Sequence, residues 1–153
     1  LELRLPPGPV HHAWVRLRAA LKKLPVGEER ASLTKTAADA AQALLVAHGE
    51  QTALEAGLSE AGEQQAIDAI TTLTARRDEA TDEQLKAHYE ATLRTQRDIL
   101  EQVAGVKRRV ERSAAKVSAE LGWLETAALS VELAPRDKAG LQSLAGRLVS
   151  LRR

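Results

Sequence analysis

The chain has no cysteine, no methionine and no phenylalanine, and its aromatic residues are two Trp and one Tyr in 153 residues. The absence of cysteine excludes disulfides, thiolate metal ligands and cysteine nucleophiles. A chain that starts at Leu1 and contains no Met is expected to be a fragment of a longer protein or a processed product. No apolar run approaches the ~20 residues of a membrane span, and no signal-peptide pattern is present. A cytoplasmic setting is therefore the default expectation.

Motifs that carry catalytic chemistry are also missing. The sequence contains no Gly-x-Ser-x-Gly nucleophile elbow, no Gly-rich phosphate loop and no His-Glu-x-x-His zinc motif. His11 and His12 are adjacent, so on a helix they point about 100° apart and cannot bind one metal ion from a single face. His48 and His88 are expected at the surface. The sequence thus predicts a protein that is not an enzyme and has no cofactor, no metal site and no small-molecule substrate.

What the chain does contain favours helices. Hydrophobic residues make up 44% of it, and 28 residues are Ala. A core of Leu, Val and Ala suits closely approaching helices better than a globular enzyme with a deep pocket. The only strand-like alternation is Leu1–Leu5, and it ends at Pro6. The sequence therefore predicts an all-α protein.

Four helices follow from the apolar periodicity and the breakers. They are predicted over residues 8–25, 28–79, 81–134 and 135–152 of a single helical domain, 1–153. A capping box, Thr81 to Gln84, opens the third helix, and Pro135 suits the first turn of the last helix. Two readings of Gly57–Gly62 stay open. The segment is either a bend in a continuous long helix or a reversal that gives a compact five-helix bundle.

The two long helices are predicted to form an antiparallel, coiled-coil-like hairpin. If the chain reverses near residue 80.5, residue i faces residue 161 − i, and this rule repeatedly places a large side chain opposite a small one. The short N- and C-terminal helices then form a four-helix bundle at the base, where Trp14 and Trp123 fill the core. The predicted pairs are Leu33–Ala128, Ala37–Leu124, Ala40–Leu121, Leu44–Val117, Leu54–Val106, Leu58–Val103, Ala61–Leu100 and the polar pair Gln65–Gln96.

A thin two-helix arm buries little surface, so its tip is the first candidate for binding a partner or a second copy of the chain. We define the tip as the apolar residues between about 60 and 100. Its candidate contact residues are Ile67, Ile70, Leu73, Leu85, Tyr89 and Leu93. The resulting hypothesis is a non-enzymatic scaffold or interaction module that mediates protein–protein contacts or oligomerises, with a dimer expected.

The uneven distribution of charge along the chain suggests an alternative to a protein-interaction module. Residues 1–27 and 135–153 each carry a net +4, whereas residues 28–80 carry −6. Basic amphipathic helices bind anionic membranes or nucleic acid, although the same cations could instead face the acidic second helix inside the bundle. The candidate basic contacts are Arg16, Lys22, Lys23, Arg108, Arg112, Lys116, Arg147 and Arg152.

Overall fold

The protein is all-α. The computed structural model describes residues 5–60 and 62–152, and those residues form five helices and no strand. The helices are α1 (Pro9–Lys22), α2 (Glu28–Glu60), α3 (Glu63–Glu79), α4 (Glu83–Leu133) and α5 (Lys138–Arg152). The predicted fold class, an antiparallel helical hairpin with a four-helix bundle, is confirmed. The strand-like Leu1–Leu5 alternation falls mostly outside the described residues, and Leu5 itself is buried in a helical core.

The interruption between α2 and α3 lies at Gly62, not at Gly57. Gly62 has a left-handed backbone with φ of 68°, which glycine adopts without steric cost, whereas Gly57 lies inside α2. The long second helix predicted over 28–79 is therefore two helices. Ala61 and its predicted pairing with Leu100 lie outside the described residues.

Two helix starts differ from their predictions for the same physical reason. An Asp side chain caps each helix by accepting a hydrogen bond from a backbone N–H of the first turn. At α4 the cap is Asp82, whose Oδ1 lies 2.8 Å from the Gln84 nitrogen, so the cap is one residue later than the predicted Thr81 and the reciprocal bond of a capping box is replaced by this single acceptor. At α5 the Asp137 Oδ1 lies 2.6 Å from the Gly140 nitrogen. Pro135 therefore precedes α5 instead of occupying its first turn.

The chain divides into two compact units, Leu1–Gly49 with Ser113–Arg153 (unit 1) and Glu50–Arg112 (unit 2). Whether the whole chain folds as one domain stays a prediction. Unit 1 is the four-helix bundle, in which α1 and α5 join parts of α2 and α4 around one apolar core. That core contains Leu17, Leu33, Ala37, Ala40, Leu44, Leu124, Ala128, Val131, Leu141, Leu144 and Leu148.

The register predicted for the bundle is consistent with this core. The residues of Leu33–Ala128 and Ala37–Leu124 all belong to the cluster, and Leu121 and Val117 pack against it. Alanines on α2 allow the backbones to approach closely, and large side chains from the facing helix fill the space. Both Trp residues are buried, and the Trp123 Nε1 donates a hydrogen bond to the Leu148 carbonyl oxygen at 3.0 Å.

Unit 2 contains the last turns of α2, all of α3 and the first part of α4, with residues 80–82 as the turn between α3 and α4. Its α3–α4 register departs from the predicted reflection. The rule pairs Glu63 with Asp98, but the structure pairs Glu63 with Lys107 at 2.7 Å. The offset of nine residues equals ~13 Å along a helix. It arises because the break at Gly62 restarts α3 independently of the seam that α2 follows.

Candidate interaction surface

An apolar groove runs between α2 and α4 in unit 2. Seven of its eight lining residues are apolar or Gly, and it encloses about 420 Å³. Two of the predicted register pairs, Leu54–Val106 and Leu58–Val103, contribute to the same groove. The lining residues are Ala53, Leu54, Gly57, Leu58, Ile99, Gln102, Val103 and Val106.

Helical spacing explains why the groove is open. Ala53 and Gly57 lie one turn apart on α2, and a Cβ added at Gly57 would meet no described atom within 4 Å. Small side chains on this side of α2 leave the neighbouring leucines half-exposed. One helical turn beyond the lining residues, Arg109 forms an ion pair with Glu50 at 3.7 Å and links α4 to α2. The groove is thus mainly apolar, with the Arg109–Glu50 ion pair beside one end.

The remainder of unit 2 has little buried core. Among its described residues, the buried apolar side chains are Ala66, Leu93 and Val103, compared with the 20 buried residues of the cluster in unit 1. Apolar side chains that a larger core would cover are half-exposed here. Exposed apolar surface of this kind is a candidate site for contact with another protein.

The predicted tip residues divide by exposure. Ile67 and Leu85 are 40% and 43% exposed, so both are accessible to a partner. Ile70, Leu73 and Tyr89 are half-buried. Leu93 is wrong as a surface contact because it is 0% exposed, since it lies on the inner face of α4 within unit 2. Sequence reasoning placed the accessible surface at the tip and missed the groove residues Ala53, Gly57, Ile99 and Gln102.

Electrostatics hold α3 against α4 near the turn. The Arg77 guanidinium donates to Glu90 at 2.9 Å and to Asp78 at 3.3 Å. These hydrogen bonds, first that to Glu90 and then that to Asp78, raise the pKa of Arg77. The Glu90 carboxylate therefore links α4 to α3.

The predicted basic contacts also divide. Arg16 donates two hydrogen bonds to Glu132 at 2.7 and 2.6 Å, and Arg152 lies 3.3 Å from Glu120. These cations face carboxylates of α4, whereas the sequence had suggested the acidic second helix, because α1 and α5 place their polar edges beside α4. The hydrogen bond that Arg16 donates lowers the pKa of Glu132, and the same bond raises the pKa of Arg16.

The other basic candidates are exposed, namely Lys22, Lys23, Arg108, Arg112, Lys116 and Arg147. Lys22 and Lys23 lie at the end of α1 beside two of the most exposed large apolar side chains, Val26 at 91% and Leu133 at 75%. The Arg136 guanidinium reaches this end of the bundle and donates to the Lys23 carbonyl oxygen at 2.8 Å. Unit 1 therefore has a surface that is both basic and apolar.

Trp14 lines a crevice between α1 and α2. The Arg18 guanidinium carbon lies 5.9 Å from the centre of the Trp14 ring, a cation–π distance. The indole Nε1 is buried and finds no hydrogen-bond partner among the described residues.

Within residues 5–60 and 62–152, no group of three His, Cys, Asp or Glu side chains could hold a metal ion. None of the described helices is long and apolar enough to cross a membrane.

Comparisons of the chain with known protein families, with curated proteins and with solved structures found no match.

Proposed function

We propose that the protein is a non-enzymatic, cytoplasmic helical module that mediates protein–protein contacts through the apolar groove of unit 2. One observation carries the proposal. Unit 2 leaves a mainly apolar groove open between two antiparallel helices while burying few apolar side chains of its own. Recognition of an amphipathic helix by such a groove uses apolar anchors at i, i+3, i+4 and i+7.

The bundle of unit 1 shows how this chain fills comparable grooves. There α1 and α5 cover the α2–α4 pair, and their stripes of Leu17, Leu21, Leu144 and Leu148 are buried against it. The groove of unit 2 lies between other parts of the same two helices and offers the same kind of wall, made of Leu, Val and Ala. A helix is therefore the occupant that its chemistry favours.

Site-specific photocrosslinking tests this function. A benzophenone amino acid is placed at Gln102, which lines the groove, and at the matched exposed Gln142 on α5 of unit 1. We expect cross-linked adducts from position 102 in an extract of the source cells, with the partner peptide identified by mass spectrometry. Equal yields from both positions, or no adduct at position 102, would contradict the proposal.

The basic, apolar end of unit 1 supports a second candidate function, binding to an anionic membrane or to nucleic acid. Val26 and Leu133 would enter the surface while Lys22, Lys23 and Arg136 meet its charges. Co-sedimentation with phosphatidylserine vesicles, with duplex DNA as a second arm, tests this candidate. Binding must fall steeply as salt rises, because released counterions drive such contacts. Absent or salt-insensitive binding rejects it.

A further inference from the structure

We infer that the groove of unit 2 is occupied by a second copy of this chain, through the exposed ridge of Leu129 and Leu133 on α4. The inference rests on the proposed function and names the partner for the same groove. It also accounts for two leucines that are 48% and 75% exposed at the surface of unit 1.

Spacing supports this choice of ridge. Leu129 and Leu133 are four residues apart, so their side chains lie one above the other on α4, ~6 Å apart, and the partly exposed Leu129 also lines an open crevice beside α1. The groove walls repeat at the same interval, with Leu54 and Leu58 on one side and Ile99 and Val103 on the other. Two side chains spaced four residues apart on one helix can insert between side chains that repeat at the same spacing on the helices they face. The small residues of α2 give the ridge room to approach.

Charge favours a second copy as the source of the ridge. Unit 1 carries 13 cations and 8 carboxylates, a net formal charge of +5, whereas unit 2 carries 9 cations and 13 carboxylates, a net of −4. Every copy therefore offers a basic unit to the acidic unit of another. Beside the ridge Arg16 forms an ion pair with Glu132, and the Arg136 guanidinium donates to the Lys23 carbonyl oxygen at the same end of the bundle. Opposite charges of this size orient an encounter and raise its rate.

The contact is small. Eight residues line the groove, compared with the roughly 20–30 residues a side of a standard interface. We therefore expect weak self-association, about micromolar or weaker, that depends on concentration. Measurements must extend well above that range to populate the complex.

Analytical ultracentrifugation of the full chain tests the inference with two opposing variants. Gly57→Leu places a large side chain at the groove, where an added Cβ meets no described atom within 4 Å, and it also removes a helix-destabilising glycine. The double variant Leu129→Gln with Leu133→Gln removes the ridge from a surface that is already exposed. Each is expected to weaken self-association at least about tenfold without loss of helix content.

Mixing the two variants provides the decisive arm. The ridge variant keeps an intact groove and the Gly57→Leu variant keeps an intact ridge, so a mixture restores one native contact and its mass rises. Gly146→Leu, on α5 and equally open, is the matched control and should associate as the unmodified protein does. Mixtures that stay monomeric, or a Gly146→Leu variant that loses association, overturn the inference.

The outcomes separate this inference from the proposed function. A chain that remains monomeric at high concentration, but still gives an identified foreign adduct from position 102, rejects the second copy and keeps the interaction module. Self-adducts from position 102 in the purified protein support both. No adduct of either kind, together with a monomeric chain, rejects both.

Discussion

Gly140 and Gly146 lie six residues apart on α5. We predict that substitution by alanine has opposite effects on stability at these two positions. A Cβ at Gly146 meets no described atom within 4 Å. At Gly140 it would lie 2.8 Å from the Pro135 Cβ and 2.9 Å from the Pro135 carbonyl oxygen, closer than real Cβ contacts allow. The connection between α4 and α5 folds over Gly140, because the Asp137 cap holds it against the first turn of the helix.

The magnitudes follow from these distances. Gly146→Ala should stabilise unit 1 by about 0.5–1 kcal/mol, since alanine is the better helix former and costs less backbone entropy. Gly140→Ala gains the same preference but must displace backbone, and overpacking of this kind costs about 1–3 kcal/mol. We expect a net loss of about 1–2 kcal/mol. For a chain of this size, 1 kcal/mol shifts Tm by about 2–4 °C.

Tryptophan emission is the appropriate assay, because both Trp residues belong to unit 1, where both glycines lie. Thermal unfolding followed by fluorescence then reports on the affected unit without a contribution from unit 2. The reasoning is refuted if both alanine variants raise Tm by similar amounts, since the connection would then not restrict position 140.

Three further substitutions test separate parts of the structure. Trp123→Phe should cost about 1–3 kcal/mol more than Trp14→Phe in urea unfolding, because the Trp123 indole donates a buried hydrogen bond and that of Trp14 finds no described partner. Equal costs would contradict this. Glu132→Gln should destabilise the protein at neutral pH and have progressively less effect as pH falls below about 4.5, the ordinary carboxyl value, because a lowered folded pKa stabilises only while the carboxylate is charged. A difference that persists unchanged in acid would show that Arg16 contributes nothing through charge. Gly62→Ala should cost about 1–2 kcal/mol, because its φ of 68° is left-handed, and circular dichroism would detect a rise in helix content if the break closed instead.

Apolar periodicity was sufficient to predict the all-α fold and the bundle, but not the division of the second helix into α2 and α3. The apolar stripes of α1 and α5 predict that both helices pack on the Ala-rich face of α2. Leu17 and Leu148, which belong to those stripes, are both buried. The ends of the helices were predicted less accurately. Asp82 and Asp137 cap α4 and α5, and apolar periodicity does not show which of several neighbouring residues will act as the cap.

The tip of unit 2 was harder to predict because the α3–α4 register depends on the break at Gly62. Once α3 restarts in its own register, the residues opposite α4 change, and Leu93, which was predicted as an accessible tip residue, is buried. Two glycines, Gly57 and Gly62, could each have interrupted the helix. Only the backbone conformation distinguishes them, because a sequence pattern shows that a break is permitted but does not show where it occurs.

The way the units are laid out along the chain has a consequence for folding order. Unit 2 is one continuous segment, whereas unit 1 combines the two ends of the chain, as the pairing of Arg16 with Glu132 across 116 residues shows. Closing a loop of that length costs about 2 kcal/mol more than closing the 13-residue span from Arg77 to Glu90. During synthesis α1 and α2 emerge first, yet their apolar faces remain uncovered until α5 leaves the ribosome. Unit 2 can therefore complete its contacts earlier. The core of the bundle in unit 1 closes only when the fifteen residues of α5 are available to pack.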